Sequence, residues 1–242
     1  MTPTSEDTPG PQTVQLFGLE VPIDRRVMSE KIVEAILAGR YEMGEAEHLR
    51  RVVRPGERVV EVGAGIGFVT ALIARRMGAG LVVAIEANPA LQGYIAALHR
   101  LNGAEVIVRQ ALVTPAPGGP TAVLNVHKDL WASSSGPIKP GSQLEAVEVA
   151  ALSLAEIAAE YAPTLLIVDV EPLAAWAQAP NGPQALEAAD FRPFQRVLVE
   201  LKPKRFPPAE VKRVFDLFSA QGFAYATEAS QGPLVLFERI TA

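Results

Sequence analysis

Short apolar runs alternate with stretches of helical spacing through the middle of the chain. Arg58 to Val62 reads as a buried strand and Leu81 to Glu86 as a second strand. Ile66 to Met77 and Pro89 to Leu101 carry the longer helical period between and after them. A third strand is predicted at Glu105 to Arg109, followed by Leu112 and a Pro/Gly-rich loop at Pro115 to Pro120. Two β-prone stretches, Ala122 to His127 and Ala146 to Leu152, flank a polar insert containing Trp131 and Ser133 to Ser135. A short helix at Leu154 to Tyr161 leads into the apolar run Leu165 to Val168, which ends on Asp169. A strand at Arg196 to Leu201 and a helix at Ala209 to Ala220 follow. The segments Phe223 to Thr227 and Leu234 to Glu238 read as a closing antiparallel pair around Gln231-Gly232-Pro233.

Strands that alternate with helices imply parallel pairing through right-handed crossovers, and therefore a Rossmann-like α/β sheet. Ahead of it, Val14 to Pro22 predicts a hairpin around Gly18. Val27 to Leu37 and Glu45 to Val53 predict two helices that cover the sheet. The expected organisation is a disordered tail over 1–13 and a single domain over 14–242, with 14–56 as its N-terminal cover.

Composition narrows the chemistry. The chain has 242 residues, 49% of them hydrophobic and 20% charged, enough for one substantial core. With no cysteine, disulfides, thiolate metal sites and cysteine nucleophiles are excluded. His48, His99 and His127 show no ligand spacing, so no metal site is expected. A net charge of −5 with dispersed basic residues argues against a nucleic-acid partner and for a small-molecule one. No stretch approaches the roughly 18 apolar residues of a membrane span. The Thr/Pro-rich N-terminus does not read as a signal peptide, so a cytoplasmic protein without membrane contact is expected.

The glycine loop Glu61-Val62-Gly63-Ala64-Gly65-Ile66-Gly67 stands where such sheets bind ligands, at the carboxyl end of the first core strand. Dinucleotide enzymes place Gly-x-Gly-x-x-Gly there, but here the glycines fall at 63, 65 and 67, and Phe68 takes the place of the third dinucleotide glycine. Glu61 suits the ammonium of a methionine moiety and would oppose a pyrophosphate. Glu86 ends the second strand, where a carboxylate can accept from both ribose hydroxyls. These residues favour S-adenosylmethionine as cofactor over a nicotinamide nucleotide. Gln110 and Ala111, after the third strand, are candidates for the adenine border.

The chain resembles the FkbM-like family of S-adenosylmethionine-dependent methyltransferases from about Tyr41 onward. Tyr41-Glu42 and Glu45 precede a Pro-Gly-Glu-Arg lead-in. Val60 to Thr70, with Glu61, Gly63, Ala64, Gly65, Gly67 and Phe68, is similar to the family's first motif, and Ala84-Ile85-Glu86-Ala87-Asn88-Pro89 to its second. Leu101-Asn102-Gly103, Val106 and Ala111-Leu112 continue the pattern, and Ser153-Leu154 with Ile167-Val168-Asp169-Val170-Glu171 resembles its late acidic motif. The resemblance implies a seven-stranded, mostly parallel sheet with an antiparallel C-terminal strand. It implies S-adenosylmethionine as cofactor, Glu42 and Ala87 among its contacts, and O-methylation of sugars, polyketides or related metabolites. Pro172 stands where the family commonly has Gly, and Gly65 where it often has Asn.

Methylating an alcohol requires removal of its proton as the bond forms. Asp169 and Glu171 are one residue apart after a central strand and share a direction if the strand geometry continues, so one can serve as base while the other holds cofactor or substrate. His127 is a third candidate base. Trp131, Ser133 to Ser135 and Trp176 are candidates for the acceptor pocket, and Glu200 and Lys202 end a strand that can face it. An NAD-linked oxidoreductase and a non-catalytic scaffold on the same fold stay open as alternatives. A nucleic-acid methyltransferase is disfavoured by the absence of an Asn-Pro-Pro-Tyr-type motif.

Overall fold

A computed structural model describes residues 12–127, 144–169, 173, 174, 176, 186–204 and 206–240. The first hairpin forms as expected, with β1 (Thr13–Leu16) and β2 (Leu19–Pro22) joined through Phe17 and Gly18, both at positive φ. Helix α1 (Glu30–Leu37) starts later than its apolar pattern, because Ser29 caps it by accepting from Ile32 N. Helix α2 (Met43–Val52) follows.

The core strands are β3 (Arg58–Val62), β4 (Leu81–Ile85), β5 (Ile107–Arg109), β9 (Leu165–Val168), β10 (Arg196–Glu200), β11 (Phe223–Tyr225) and β12 (Leu234–Arg239). They form one sheet in the order β11-β12-β10-β9-β3-β4-β5. The pairs from β10 to β5 are parallel, whereas β12 runs antiparallel to both β10 and β11. This is the seven-stranded arrangement the chain's pattern and its family resemblance anticipate. Helices α3 (Phe68–Arg76), α4 (Gln92–Leu101), α5 (Leu154–Tyr161) and α6 (Pro208–Ala220) flank it. A short 3-10 turn, Pro89–Leu91, precedes α4, where Asn88 accepts from Ala90 N.

Strand periodicity sends alternate residues into two cores. Val60, Val62, Leu166, Val168, Val197 and Val199 meet α5 and α6 on one face. Val59, Leu165, Ile167 and Leu198 meet the hairpin, α1, α2, α3 and α4 on the other. Glu61 and Asp169 continue the second series, so both point toward the N-terminal segments. Asn102 joins hairpin to core by acting as a strand partner in miniature: its side chain accepts from Glu20 N and donates to Glu20 O, each at 2.8 Å.

The sequence pattern does not reveal a second sheet. Strand β6 (Leu112–Thr114) pairs parallel to β8 (Leu144–Ser153), which pairs antiparallel to β7 (Thr121–His127) along its length. Trp176 is corrected by this sheet. It is 4% exposed and its indole donates to Val113 O of β6 at 3.1 Å, so it anchors the chain to the core face opposite Glu61 instead of lining an acceptor pocket.

Candidate functional site

The glycine loop is shaped by bonds to its neighbours. Gly63 N and Ala64 N both donate to Ile85 O, at 2.9 and 3.1 Å, fastening the loop to the end of β4. Gly65 N donates to Glu86 Oε2 at 2.9 Å. Gly65 has φ +54, and a Cβ built there meets no atom within 4 Å, so the glycine is required by backbone conformation and its outer side faces open space. Phe68, 1% exposed, opens α3 and makes edge contacts with Tyr41 and Phe17 at centroid distances of 5.7 and 6.3 Å. The side chain that departs from the dinucleotide pattern therefore has a structural use, packing the N-terminal segments onto the loop.

That open space is a cavity of about 750 Å³, within the range of small-ligand sites. Gly63, Ala64, Gly65, Phe68 and Val69 form one wall, and Glu61 and Asp169 rise from the sheet. Tyr41, Glu42 and Glu45 close it from the start of α2, and Lys31, Lys202 and Lys204 stand around it. Glu42 holds a left-handed conformation, φ +49, at the N-cap of α2. Such strain in a non-glycine residue costs of order 1–3 kcal/mol. It turns the Tyr41-Glu42 corner into the cavity.

Acidic groups dominate the interior. Glu61 is 4% exposed, and its Oε2 has no hydrogen-bond partner among the described residues. Burial pushes its carboxyl well above the ordinary value, with Asp169, Glu42 and Glu86 adding to the effect. Glu45 moves the same way through burial, then the charges of Glu42, Glu61 and Asp169 and a hydrogen bond with Glu42. Tyr41 is pushed up by burial and by the same acids, so it stays protonated. Burial of the Lys202 ammonium works downward, but its bond to Glu200 at 2.7 Å and the charges of Glu200, Asp169 and Glu42 hold it above its ordinary value. A buried, unpartnered carboxylate oxygen beside a glycine loop fits a ligand ammonium, which S-adenosylmethionine carries.

The sign of the linkage follows. Carboxyls raised in the fold favour their neutral forms, so the stability they contribute to the unliganded protein is present below the unfolded value of about 4.3 and is lost as pH rises through the raised values. An ammonium ligand reverses the preference. S-adenosylhomocysteine binding is therefore expected to release protons in the pH window between the ordinary carboxyl range and the raised values. Calorimetry in buffers of different ionisation heat measures this, and a buffer-independent enthalpy would contradict it.

Glu86 accepts from Asn88 N at 2.7 Å, from Gly65 N at 2.9 Å and from Ala87 N. Burial raises its carboxyl value and these three amides oppose the rise. It thus braces the loop from behind and is not itself among the residues that line the cavity. Glu86→Gln, which puts a donor where one of these amides needs an acceptor, should weaken S-adenosylhomocysteine binding about tenfold. Titration of the variant checks this, and an unchanged affinity would count against the assignment.

Of the predicted residues, the cavity gathers Glu42, Glu61, Gly63, Ala64, Gly65, Phe68 and Asp169. Gly67 is buried behind the loop. Ala87 lies beside Glu86 through its amide. Gln110 is exposed and Ala111 belongs to the opposite core, so neither borders this cavity. Trp131, Ser133 to Ser135, Glu171 and Pro172 lie outside the described residues, as does the His127 side chain. Among the described residues no acidic or histidine cluster has the form of a metal site. No described helix is long and apolar enough to cross a membrane. Sequence reading does not find Lys31, Ile32, Ala35 or Lys204. They come from α1 and from the segment after β10, where no local motif marks them.

Residues 31–114 match the family model for the TRM5/TYW2 methyltransferase domain. The chain is similar to ribosomal protein L11 methyltransferase of Burkholderia mallei, 30% identical over 122 residues, covering 48% of this chain and 40% of that protein. The enzyme of that name from Symbiobacterium thermophilum is 31% identical over 101 residues, covering 39% and 33%. The chain thus spans less than half the length of these curated relatives. In fold it is similar to a methyltransferase from Pyrococcus furiosus, with a TM-score of 0.53 and 13% identity, covering 93% of this chain and 90% of that one. Fold, loop and domain match agree on a class I methyltransferase domain with S-adenosylmethionine as its cofactor.

Proposed function

We propose that this chain methylates a hydroxyl group of a small metabolite, as its resemblance to the FkbM-like family implies. The observation that carries this reading is the placement of Asp169. It follows the last residue of β9 directly beside β3, its amide donates to Val62 O at 3.1 Å, and it lines the cavity on the same sheet face as Glu61. The cofactor supplies a methyl group on a cationic sulfur. The acidic interior would favour that charge, Glu61 would receive the cofactor's ammonium, and Asp169 would accept the proton of the acceptor hydroxyl while the methyl group leaves the sulfur, which departs as a neutral thioether. Tyr41, Phe68 and Val69 give this corner its apolar lining.

Macromolecular acceptors are the second reading, favoured by the match to the TRM5/TYW2 domain and by the likeness to ribosomal protein L11 methyltransferases. The domain match ends at residue 114, within the cofactor half. A net charge of −5 and an acid-lined cavity disfavour a polyphosphate acceptor such as tRNA. Incubation with methyl-labelled S-adenosylmethionine and separate panels of hydroxylated metabolites, unmodified tRNA and ribosomal proteins distinguishes the readings. Label is expected on a metabolite oxygen, and label confined to tRNA or protein would overturn the proposal. Loss of all transfer with retained cofactor binding would instead indicate a scaffold.

A further inference from the structure

The far end of the glycine loop is held from the core by a histidine. The Gly67 carbonyl accepts from Ala71 N at 3.1 Å, the first bond of α3. It also accepts from Thr70 Oγ1 at 3.1 Å and from His99 Nε2 at 3.0 Å. A carbonyl oxygen offers two lone pairs, so three donors more than fill it, and Thr70 Oγ1 also lies 3.2 Å from His99 Nε2. A helix start requires only the first of them.

Two contacts at Nε2 favour one tautomer of His99. The nitrogen lies 3.0 Å from the Gly67 carbonyl, which can only accept, and 3.2 Å from Thr70 Oγ1, which can accept or donate, so a hydrogen on Nε2 suits both contacts. Nδ1 then carries the lone pair, and it is buried without a hydrogen-bond partner among the described residues. Protonating it would place an unpaired N–H in the core. Burial accordingly holds the imidazole below its ordinary value, against the pull of the Gly67 carbonyl, and the ring is neutral. Contact is close: a Cβ at Gly67, which has φ +76, would lie 2.9 Å from both His99 Nε2 and Ile95 Cγ2. Helix α4 thus fixes the loop at its end, as Ile85 O and Glu86 fix its start and middle.

We infer that His99 is a positioning residue for the cofactor: with Thr70 it holds the Gly67 carbonyl, and through it the glycine loop, in the shape that receives S-adenosylmethionine. The inference rests on cofactor binding at this loop. His99→Phe keeps an aromatic ring and removes the donor, His99→Gln keeps an N–H at similar reach, and Thr70→Val removes the companion hydroxyl. For His99→Phe, S-adenosylhomocysteine affinity should fall about tenfold and KM for S-adenosylmethionine rise equally, with kcat at saturation kept within about twofold. His99→Gln should restore affinity to within about threefold of wild type, and the two losses should combine less than additively because both donors meet one oxygen. Affinity of folded His99→Phe within about twofold of wild type, or His99→Gln as weak as His99→Phe, overturns the inference. If His99→Phe does not fold, Thr70→Val decides, with a loss of about threefold or more expected and wild-type affinity overturning. Failure of the wild-type protein to bind S-adenosylhomocysteine would sink cofactor binding itself, which is a separate result.

Discussion

Replacing Asp169 by Asn is expected to lower kcat by about 10²-fold or more, the scale of losing a positioned general base. The substitution keeps shape and removes the charge. Asp169 stands at the end of β9 in a parallel register that sets Val168 against Val62, so the carboxylate is carried by two central strands instead of a loop. It faces Glu61, Glu45 and Tyr41 closely enough that its charge raises the values of all three. Removing that charge should therefore also ease ionisation of Glu61, so S-adenosylhomocysteine affinity should change by no more than about fivefold. Steady-state kinetics with the identified acceptor, together with calorimetric titration, separate the two effects. A raised KM for S-adenosylmethionine with kcat intact would make Asp169 a cofactor ligand and move the base elsewhere.

The second large effect is on stability. Arg196, 5% exposed at the start of β10, donates to Glu57 Oε1 at 2.6 Å, to Glu238 Oε1 at 2.9 Å and to Val52 O at 2.9 Å. One guanidinium thereby joins the end of α2, the approach to β3, and β12. Glu57 is 8% exposed, and its other oxygen accepts from Arg54 N at 2.7 Å. Arg196→Met should cost about 3–5 kcal/mol, because it strands a buried carboxylate and a backbone carbonyl. Against a total stability of about 5–15 kcal/mol, that brings the fold near its limit and lowers Tm by about 10 °C. Adding Glu57→Gln should recover part of the loss, since the stranded charge is then removed. Denaturant melts of the single and double variants measure both steps. A single-variant loss below about 1 kcal/mol would show that the ion pair contributes little beyond its hydrophobic replacement.

Strand β9 shows why much of the architecture is legible in the chain. Leu165 to Val168 is apolar at every position because both faces of the sheet are covered, and the run stops at the acid where the sheet meets solvent. The same logic locates β3, β4 and the glycine loop. Helix α1 is displaced by three residues from its apolar pattern, since Ser29 offers a side-chain acceptor and Val27 packs without being helical. The β6-β8-β7 sheet is not legible, because alternation predicts strands and says nothing of partners. Trp176 likewise gives no local sign of which sheet face it will join.

For the site, sequence by itself determined the loop, its 63-65-67 spacing and the two acids that follow strand ends, because backbone freedom and strand termini are local properties. Only the tertiary structure decided that Glu61 and Asp169 share one face with Tyr41, Glu42 and Glu45. It also decided that Gln110 and Ala111 stand apart from the cavity, and that His99 reaches across from α4 to the Gly67 carbonyl. These relations join residues tens of positions apart. They depend on which helix covers which face of the sheet, and no residue spacing along the chain encodes that.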